Sequence, residues 1–260
     1  MSHVSFSALK IWNECPYKYK LNYIDKLKEF QGNVYTAFGT AMHEICEKVI
    51  LGKWENKDTS EKFQKSFASE YKELPQKVKH STNKKLLKEM FVQGTDLAPM
   101  AIPALKDFFD DFEIISSEEN LYEPIVEFKE EDYDFKGFID LVLKTSDGKY
   151  HIVDWKTCSW GWDQKRRTEP MTTYQLTLYK YYFCQKHDID PKDVETYFAL
   201  LKRTAKSDKV EIFRVTSGPK KTKNALNLLN KALYNINKTT FFKNRLSCTK
   251  CEFYKTKYCK

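Results

Sequence analysis

Two aspartates and a lysine stand where acid side chains are expensive. Asp140 interrupts an apolar run formed by Phe138, Ile139, Leu141, Val142 and Leu143. Asp154 and Lys156 follow Ile152 and Val153 directly, in HIVDWKTCS. A carboxylate inside an apolar strand is costly to bury unless it is paired or bound to a metal. Both runs read as strands, and the SDG triplet at 146–148 suits a tight turn between them. Antiparallel neighbours joined in this way bring Asp140 and Asp154 close in space. Two adjacent carboxylates suit Mg²⁺ or Mn²⁺, which prefer oxygen ligands. A lysine beside them can orient or deprotonate a water, or neutralise charge developing on a phosphate.

Spacing alone does not single out this lysine. Asp-x-Lys occurs five times, at Asp134/Lys136, Asp147/Lys149, Asp154/Lys156, Asp163/Lys165 and Asp190/Lys192. Only Asp154/Lys156 ends an apolar strand run. The others open a strand, sit in a turn or polar loop, or span a proline. For any one copy the plain alternative is an ion pair at a strand end, and the aligned Asp140 shifts that balance. His43 and Glu47 lie four apart on a helical segment and share a face, which makes His43 a candidate nitrogen ligand. Gln175 and Tyr179 have the same spacing on the helix after the Lys156 strand, where they can brace the lysine or contact a phosphate.

The elements that position these residues follow from periodicity. A first helix, SALKIWNECPYKYKLNYI, is capped by Ser5 or Ser7 and kinked or split at Pro16. AFGTAMHEICEKVILG has its apolar residues at helical spacing, with Gly52 as its stop. Residues 56–113 are polar, Lys-rich and helically periodic. They read as a helical insertion of two or three helices broken at Pro75 and Pro103. PIVEF, FKGFIDLVLK and KYHIVDWK then read as three consecutive strands. TTYQLTLYKYYFCQK is a helix, VETYFALLK and KVEIFRV are two more strands, and a last helix runs from about Lys220 to Lys238. This order predicts one α/β domain over 1–260, a mixed sheet with helices covering its faces.

In order and placement, GTAMHEICE (Gly39, His43, Glu47), GFID (Gly137, Asp140), DWK (Asp154, Lys156) and QLTLY (Gln175, Tyr179) resemble the PD-(D/E)XK nuclease superfamily. Within it the chain is similar to the RecB/AddB-like and CRISPR-associated RecB-like branch. The resemblance covers roughly residues 5–180 and the Cys-containing tail. It implies a restriction-endonuclease-like fold and metal-dependent DNA hydrolysis. It implies that Asp140, Asp154, His43 and the Trp155 carbonyl hold Mg²⁺ or Mn²⁺, and that Lys156 activates the attacking water. Glu47, Gln175 and Tyr179 would support the site and the DNA backbone. The branch suggests exonuclease action on single-stranded DNA or free ends, in recombination, repair or phage replication, with a helicase or annealing protein as a conceivable partner. The region 56–113 departs from a minimal core.

The tail CTKCEFYKTKYC holds Cys248, Cys251 and Cys259, and a C-x-x-C with a third cysteine nearby signals a metal. A four-thiolate site needs one more ligand, and Cys15, Cys46, Cys158 and Cys184 are candidates. The segment SALKIWNECPYKYKL resembles the N-terminal element of nucleases in which an upstream cysteine joins three near the C-terminus. That resemblance selects Cys15 and implies a [4Fe–4S] cluster built from Cys15 and residues 245–260. Structural Zn²⁺ on the same thiolates is the alternative.

The totals agree with a nucleic-acid enzyme. The 260 residues include 44 basic and 36 acidic side chains, a formal +8, which favours an anionic partner. With 41% hydrophobic and 15% aromatic residues the chain is a folded one. The N-terminal segment lacks the apolar core of a signal peptide, and no run approaches bilayer length. The expectation is a soluble cytoplasmic protein with no membrane partner. After Lys156, TCSWGWDQKRR sets Trp160 and Trp162 beside Lys165, Arg166 and Arg167, a mixture that can stack bases and hold phosphates. The competing reading of those tryptophans is loop packing. Further basic clusters are Lys202, Arg203 and Lys206, and Lys220, Lys221 and Lys223. The class to set against an enzyme is a DNA-binding protein stabilised by an iron–sulfur or zinc centre, and the full set of His43, Asp140, Asp154 and Lys156 argues against it.

Overall fold

The computed structural model of the chain describes residues 2–27 and 32–260. A short strand, β1 (Ser2–Ser5), leads into α1 (Phe6–Glu14), and the Ser5 side chain caps it by accepting from Ala8 N at 3.2 Å. Cys15 is extended. Pro16 then starts α2 (Pro16–Tyr19), which runs into a wider turn over Lys20–Ile24. The expected first helix is thus three short pieces, because Pro16 has no N–H to continue the ladder. Asn33 caps α3 (Val34–Ile50) through Tyr35 N and Thr36 N, and Gly52, at φ +67°, takes the left-handed position just past its end.

The stretch before the sheet holds α4 (Thr59–Glu73), α5 (Gln76–Ser81), α6 (Lys84–Leu97) and α7 (Ala101–Phe109). Pro75 precedes α5 as expected. Pro103 does not break the run: it lies in the first turn of α7, where a missing N–H is tolerated, and Pro99 marks the junction instead.

Then come β2 (Phe112–Pro124), β3 (Tyr133–Thr145), β4 (Tyr150–Cys158), α8 (Gln164–Thr168), α9 (Pro170–His187), β5 (Val194–Lys202), β6 (Val210–Val215) and α10 (Pro219–Asn237). The sheet order is β1-β3-β4-β5-β6, with β2 also paired to β3. β1/β3 and β4/β5 are parallel and the other pairs antiparallel. One face packs on α1, α9 and α10 through residues such as Phe135, Ile152, Leu176, Phe198 and Leu229. The other packs on α3 and the helices of 59–109 through Phe38, Phe63, Leu141, Val153 and Leu201. This is the expected mixed α/β sheet flanked by helices.

One strand is displaced from its expected position. PIVEF is not a strand: Ile125 N bonds Tyr133 O at 2.9 Å, and Phe128 N bonds Ile125 O at 3.3 Å in a turn. The strand there is β2, which begins at Phe112, so the helical run stops at Phe109. β2 is paired to β3 along one side and is largely polar on its solvent side, so the local peak of apolar residues comes after its end. Among the described residues no helix is long and apolar enough to cross a membrane.

Candidate metal-dependent hydrolytic site

β3 and β4 pair from Lys144↔Tyr150 to Leu141↔Val153. Past that pair the strands fork. β3 continues beside β1, from Lys136↔Ser5 to Tyr133↔Ser2, while β4 stays with β5 through Cys158. Asp140 and Asp154 are the first residues beyond the last β3–β4 pair. The fork frees the Trp155 N–H from the ladder, and Asp140 Oδ2 accepts it at 2.7 Å. From the helix above, His43 Nδ1 stands 3.6 Å from the same oxygen. The alternation of β4 puts Asp154 and Lys156 on one face, toward α9. There Gln175 Nε2 donates to Asp154 Oδ1 at 3.0 Å and contacts Tyr179 Oη at 3.3 Å. Tyr179 can lie this close because the strand opposite carries Gly137, where a Cβ would come within 2.7 Å of Tyr179 Cε1.

Asp154 is 1% exposed, and its Oδ2 meets Lys156 Nζ at 2.5 Å. The contact is a close, buried ion pair. A carboxylate buried this deeply needs a cation beside it, and Lys156 supplies one. Burial pushes the Asp154 carboxyl up to about 6, against the pull of Lys156 and with the repulsion of Asp140 adding to the rise. Burial also pushes Asp140 up, but His43, Lys156 and the Trp155 N–H together hold it below the usual carboxylate range. Burial lowers His43, and Asp140 more than compensates, so its imidazole is raised. Lys156 is likewise lowered by burial and raised further by Asp154 and Asp140, which keeps it protonated.

A residue outside the sequence argument joins this centre. One donor atom each from His43, Glu118 and Asp140 lies within 4.8 Å of the others, a group that could hold a metal ion. Glu118 lies on β2 opposite Asp140, and its φ of 53° is unusual for a non-glycine residue. Burial and the negative charges of Asp140, Glu47 and Asp154 raise its carboxyl, with His43 opposing. Nothing in SSEEN marks this position, because acids are ordinary on a polar strand face.

The remaining candidates are distributed around this centre. Glu47 is one turn along α3 and pairs with Lys48 at 2.8 Å. Trp160 is 77% exposed beyond the end of β4. Trp162 turns inward, its ring 4.9 Å from Phe198, and therefore packs the core and has no face free for a base. Arg166 is exposed with its guanidinium over the Trp162 ring at 4.4 Å. Arg167 is tied to Glu211 at 2.6 Å and to Trp162 O, which leaves it a bracing role. At the far end, Cys15, Cys248, Cys251 and Cys259 line one small cavity. Asn244 N donates to Cys15 Sγ at 3.3 Å, and Cys15 Sγ lies 4.0 Å from Phe242 O. Cys46 and Cys184 are buried in the two core layers, apart from it.

The sequence profile of the PD-(D/E)XK nuclease superfamily matches residues 3–256. Among solved structures the chain is similar to a candidate exonuclease from Eubacterium rectale, with a TM-score of 0.56 at 12% identity, covering 96% of this chain and 86% of that one. SSO0001 aligns over 95% of this chain and 93% of its own at 13% identity, but its TM-score of 0.39 is too low to bear on the fold. Among curated proteins, none matches.

Proposed function

Because the chain belongs to the PD-(D/E)XK nuclease superfamily, we propose that it hydrolyses DNA phosphodiester bonds at the β3–β4 fork, using Mg²⁺ or Mn²⁺. The observation that carries this reading is the cluster at the fork, where His43 meets Asp140 at 3.6 Å, Lys156 meets Asp154 at 2.5 Å, and His43, Glu118 and Asp140 form a group that could hold a metal ion. Members of the superfamily generally use divalent metals. Asp140, Asp154, His43 and the Trp155 carbonyl would hold the ion here, with Glu118 beside them. The bound ion supplies Lewis acidity toward a phosphoryl oxygen and lowers the pKa of water.

The protein groups divide the remaining work. Trp155 N–H and His43 fix Asp140, and Gln175 and Lys156 hold the two oxygens of Asp154. Lys156, protonated, neutralises charge that develops on the phosphate and holds a water in line. Tyr179 seats Gln175. The helices of 59–109 form an insertion over one sheet face within a single nuclease domain.

Action on single strands or free ends is the finer part of the reading. It draws support from the RecB/AddB-like motif order and from the name of the Eubacterium rectale neighbour. The four cysteines would carry the [4Fe–4S] cluster of that branch, supported by their shared cavity and the N–H bond to Cys15. End-labelled linear single strands, circular single strands and duplex are incubated with Mg²⁺, Mn²⁺ or chelator. Metal-dependent degradation of linear strands with circles spared is expected. Cutting of circles would overturn the end-dependent part, and binding without any cutting would overturn the hydrolase.

A further inference from the structure

The hydrolytic site leaves unused an aromatic and basic cluster where β4 ends. Arg203 follows β5, and its guanidinium reaches three elements. Nη2 donates to Ser159 Oγ at 3.1 Å, Nη1 donates to Gln93 Oε1 on α6 at 2.7 Å, and the group lies 5.3 Å from the ring centroid of Tyr35 in the first turn of α3. Such a contact holds an aromatic ring in a fixed plane. Tyr35 is nonetheless 50% exposed, so much of the ring remains open to solvent. Trp160 is adjacent to Ser159 and, at 77%, is the most exposed aromatic side chain among the described residues. Single exposed apolar residues are ordinary. An open ring on a fixed guanidinium, with a second open ring next in the chain to one of that guanidinium's partners, offers faces suited to flat, π-faced ligands.

Their distance from the chemistry is consistent. Tyr35, Gly39 and His43 form one i, i+4 row on α3, so Tyr35 stands about 12 Å along the axis from His43. α3 passes over β4 between them, since a Cβ at Gly39 would sit 3.5 Å from Thr157 Oγ1. Trp160 comes four residues after Lys156 and two after the end of β4, so it is at most about 13 Å along the chain from the lysine. Tyr35 is thus tied through Arg203 to Ser159, just past the C-terminal end of β4, and Trp160 is the next residue. Exposed Lys165 and Arg166 follow Trp160 and offer charge for phosphates.

We propose that Tyr35 and Trp160 stack unpaired bases of the DNA strand whose phosphodiester enters the Asp140–Asp154 fork, with Arg203 as the positioning residue for Tyr35. The ligand is single-stranded DNA gripped by its base faces without regard to sequence. The proposal rests on the nuclease reading, and its test separates the two.

Binding of a fluorescein-labelled oligo-dT, and of a matched oligonucleotide with abasic sites, is followed by anisotropy with the full chain and no added divalent ion. Tyr35→Ala and Trp160→Ala should each weaken oligo-dT binding at least about fivefold and leave abasic binding unchanged. Tyr35→Phe and Trp160→Phe, which keep a ring, should retain most of the affinity. Equal weakening on both oligonucleotides, or none on oligo-dT, would overturn the platform. Cleavage of the same oligo-dT by the parent in Mn²⁺ is measured alongside. Base-dependent binding without cleavage would remove the nuclease reading and leave the platform standing; cleavage without base dependence would do the reverse.

Discussion

At Asp154, one oxygen is held by Gln175 and the other is ion-paired with Lys156, so the side chain is fixed at both oxygens. Its carboxyl is pushed up to about 6 by burial first and by Asp140. The sign follows directly. A raised carboxyl is ionised above its folded value and protonated below it, and a cation needs the ionised form. The increase in Tm produced by Mn²⁺ should therefore shrink as pH falls through about 6, read by thermal denaturation with and without the ion. Glu118 makes a separate prediction. If it borders the ion, Glu118→Gln should weaken Mn²⁺ binding about tenfold or more in a calorimetric titration, and an unchanged affinity would remove it from the site. The two aspartates and Lys156 were legible because charge inside an apolar strand is conspicuous. Glu118 was not, because it lies among polar residues and owes its place to a left-handed backbone with no glycine to announce it. Trp160 and Trp162 looked alike in sequence, and only the core contact with Phe198 distinguishes the inward ring from the open one.

The elements hold these residues by a change of strand partner. β4 leaves β3 after Val153, which converts a ladder N–H at Trp155 into a carboxylate donor. α9 closes the other side, and it can do so only because Gly137 lacks a side chain. Gly137→Ala should cost about 1–3 kcal/mol by overpacking against Tyr179, read by chemical denaturation, and should lower cleavage more than binding by displacing Gln175. Full stability in that variant would mean that Tyr179 moves freely. β3, β4, β5, α9 and α10 were readable from apolar runs and helical spacing. β1 was not, since four residues give too little pattern, and β2 was not, since a half-solvated strand dilutes the apolar signal. The fork itself has no sequence signature, because register is decided between strands that are far apart in the chain.

The ends of the chain meet on the scale of the whole molecule. Tyr17 N bonds Phe242 O at 3.1 Å, Asn244 Nδ2 bonds Glu14 O at 2.9 Å, and Tyr17 Oη bonds Tyr258 O at 3.2 Å. The four-cysteine cavity lies in this seam. A metal centre there would close a loop of almost the full chain, so its loss should matter for stability. Cys259→Ser should cost at least about 1 kcal/mol, a fall in Tm of about 2–4 °C or more, with loss of iron and acid-labile sulfide from protein purified without oxygen. Zinc in place of iron in the parent would contradict the cluster and keep the seam. The C-x-x-C spacing drew attention to the tail, and the structure brings its three cysteines to one cavity. Its meeting with Cys15 was drawn from family likeness, since spacing alone could not choose among four upstream cysteines.

The central claim is that the β3–β4 fork is a metal-dependent hydrolytic site. It is tested most directly by comparing parent and Lys156→Ala on end-labelled single-stranded DNA in Mn²⁺, with chelator as the control. Lys156→Ala should remain folded and bind the strand, while its cleavage rate falls at least about a hundredfold and the parent's activity disappears with chelator. Cleavage that persists in Lys156→Ala at the parent's rate would contradict the account and leave Asp154 and Lys156 as a structural ion pair.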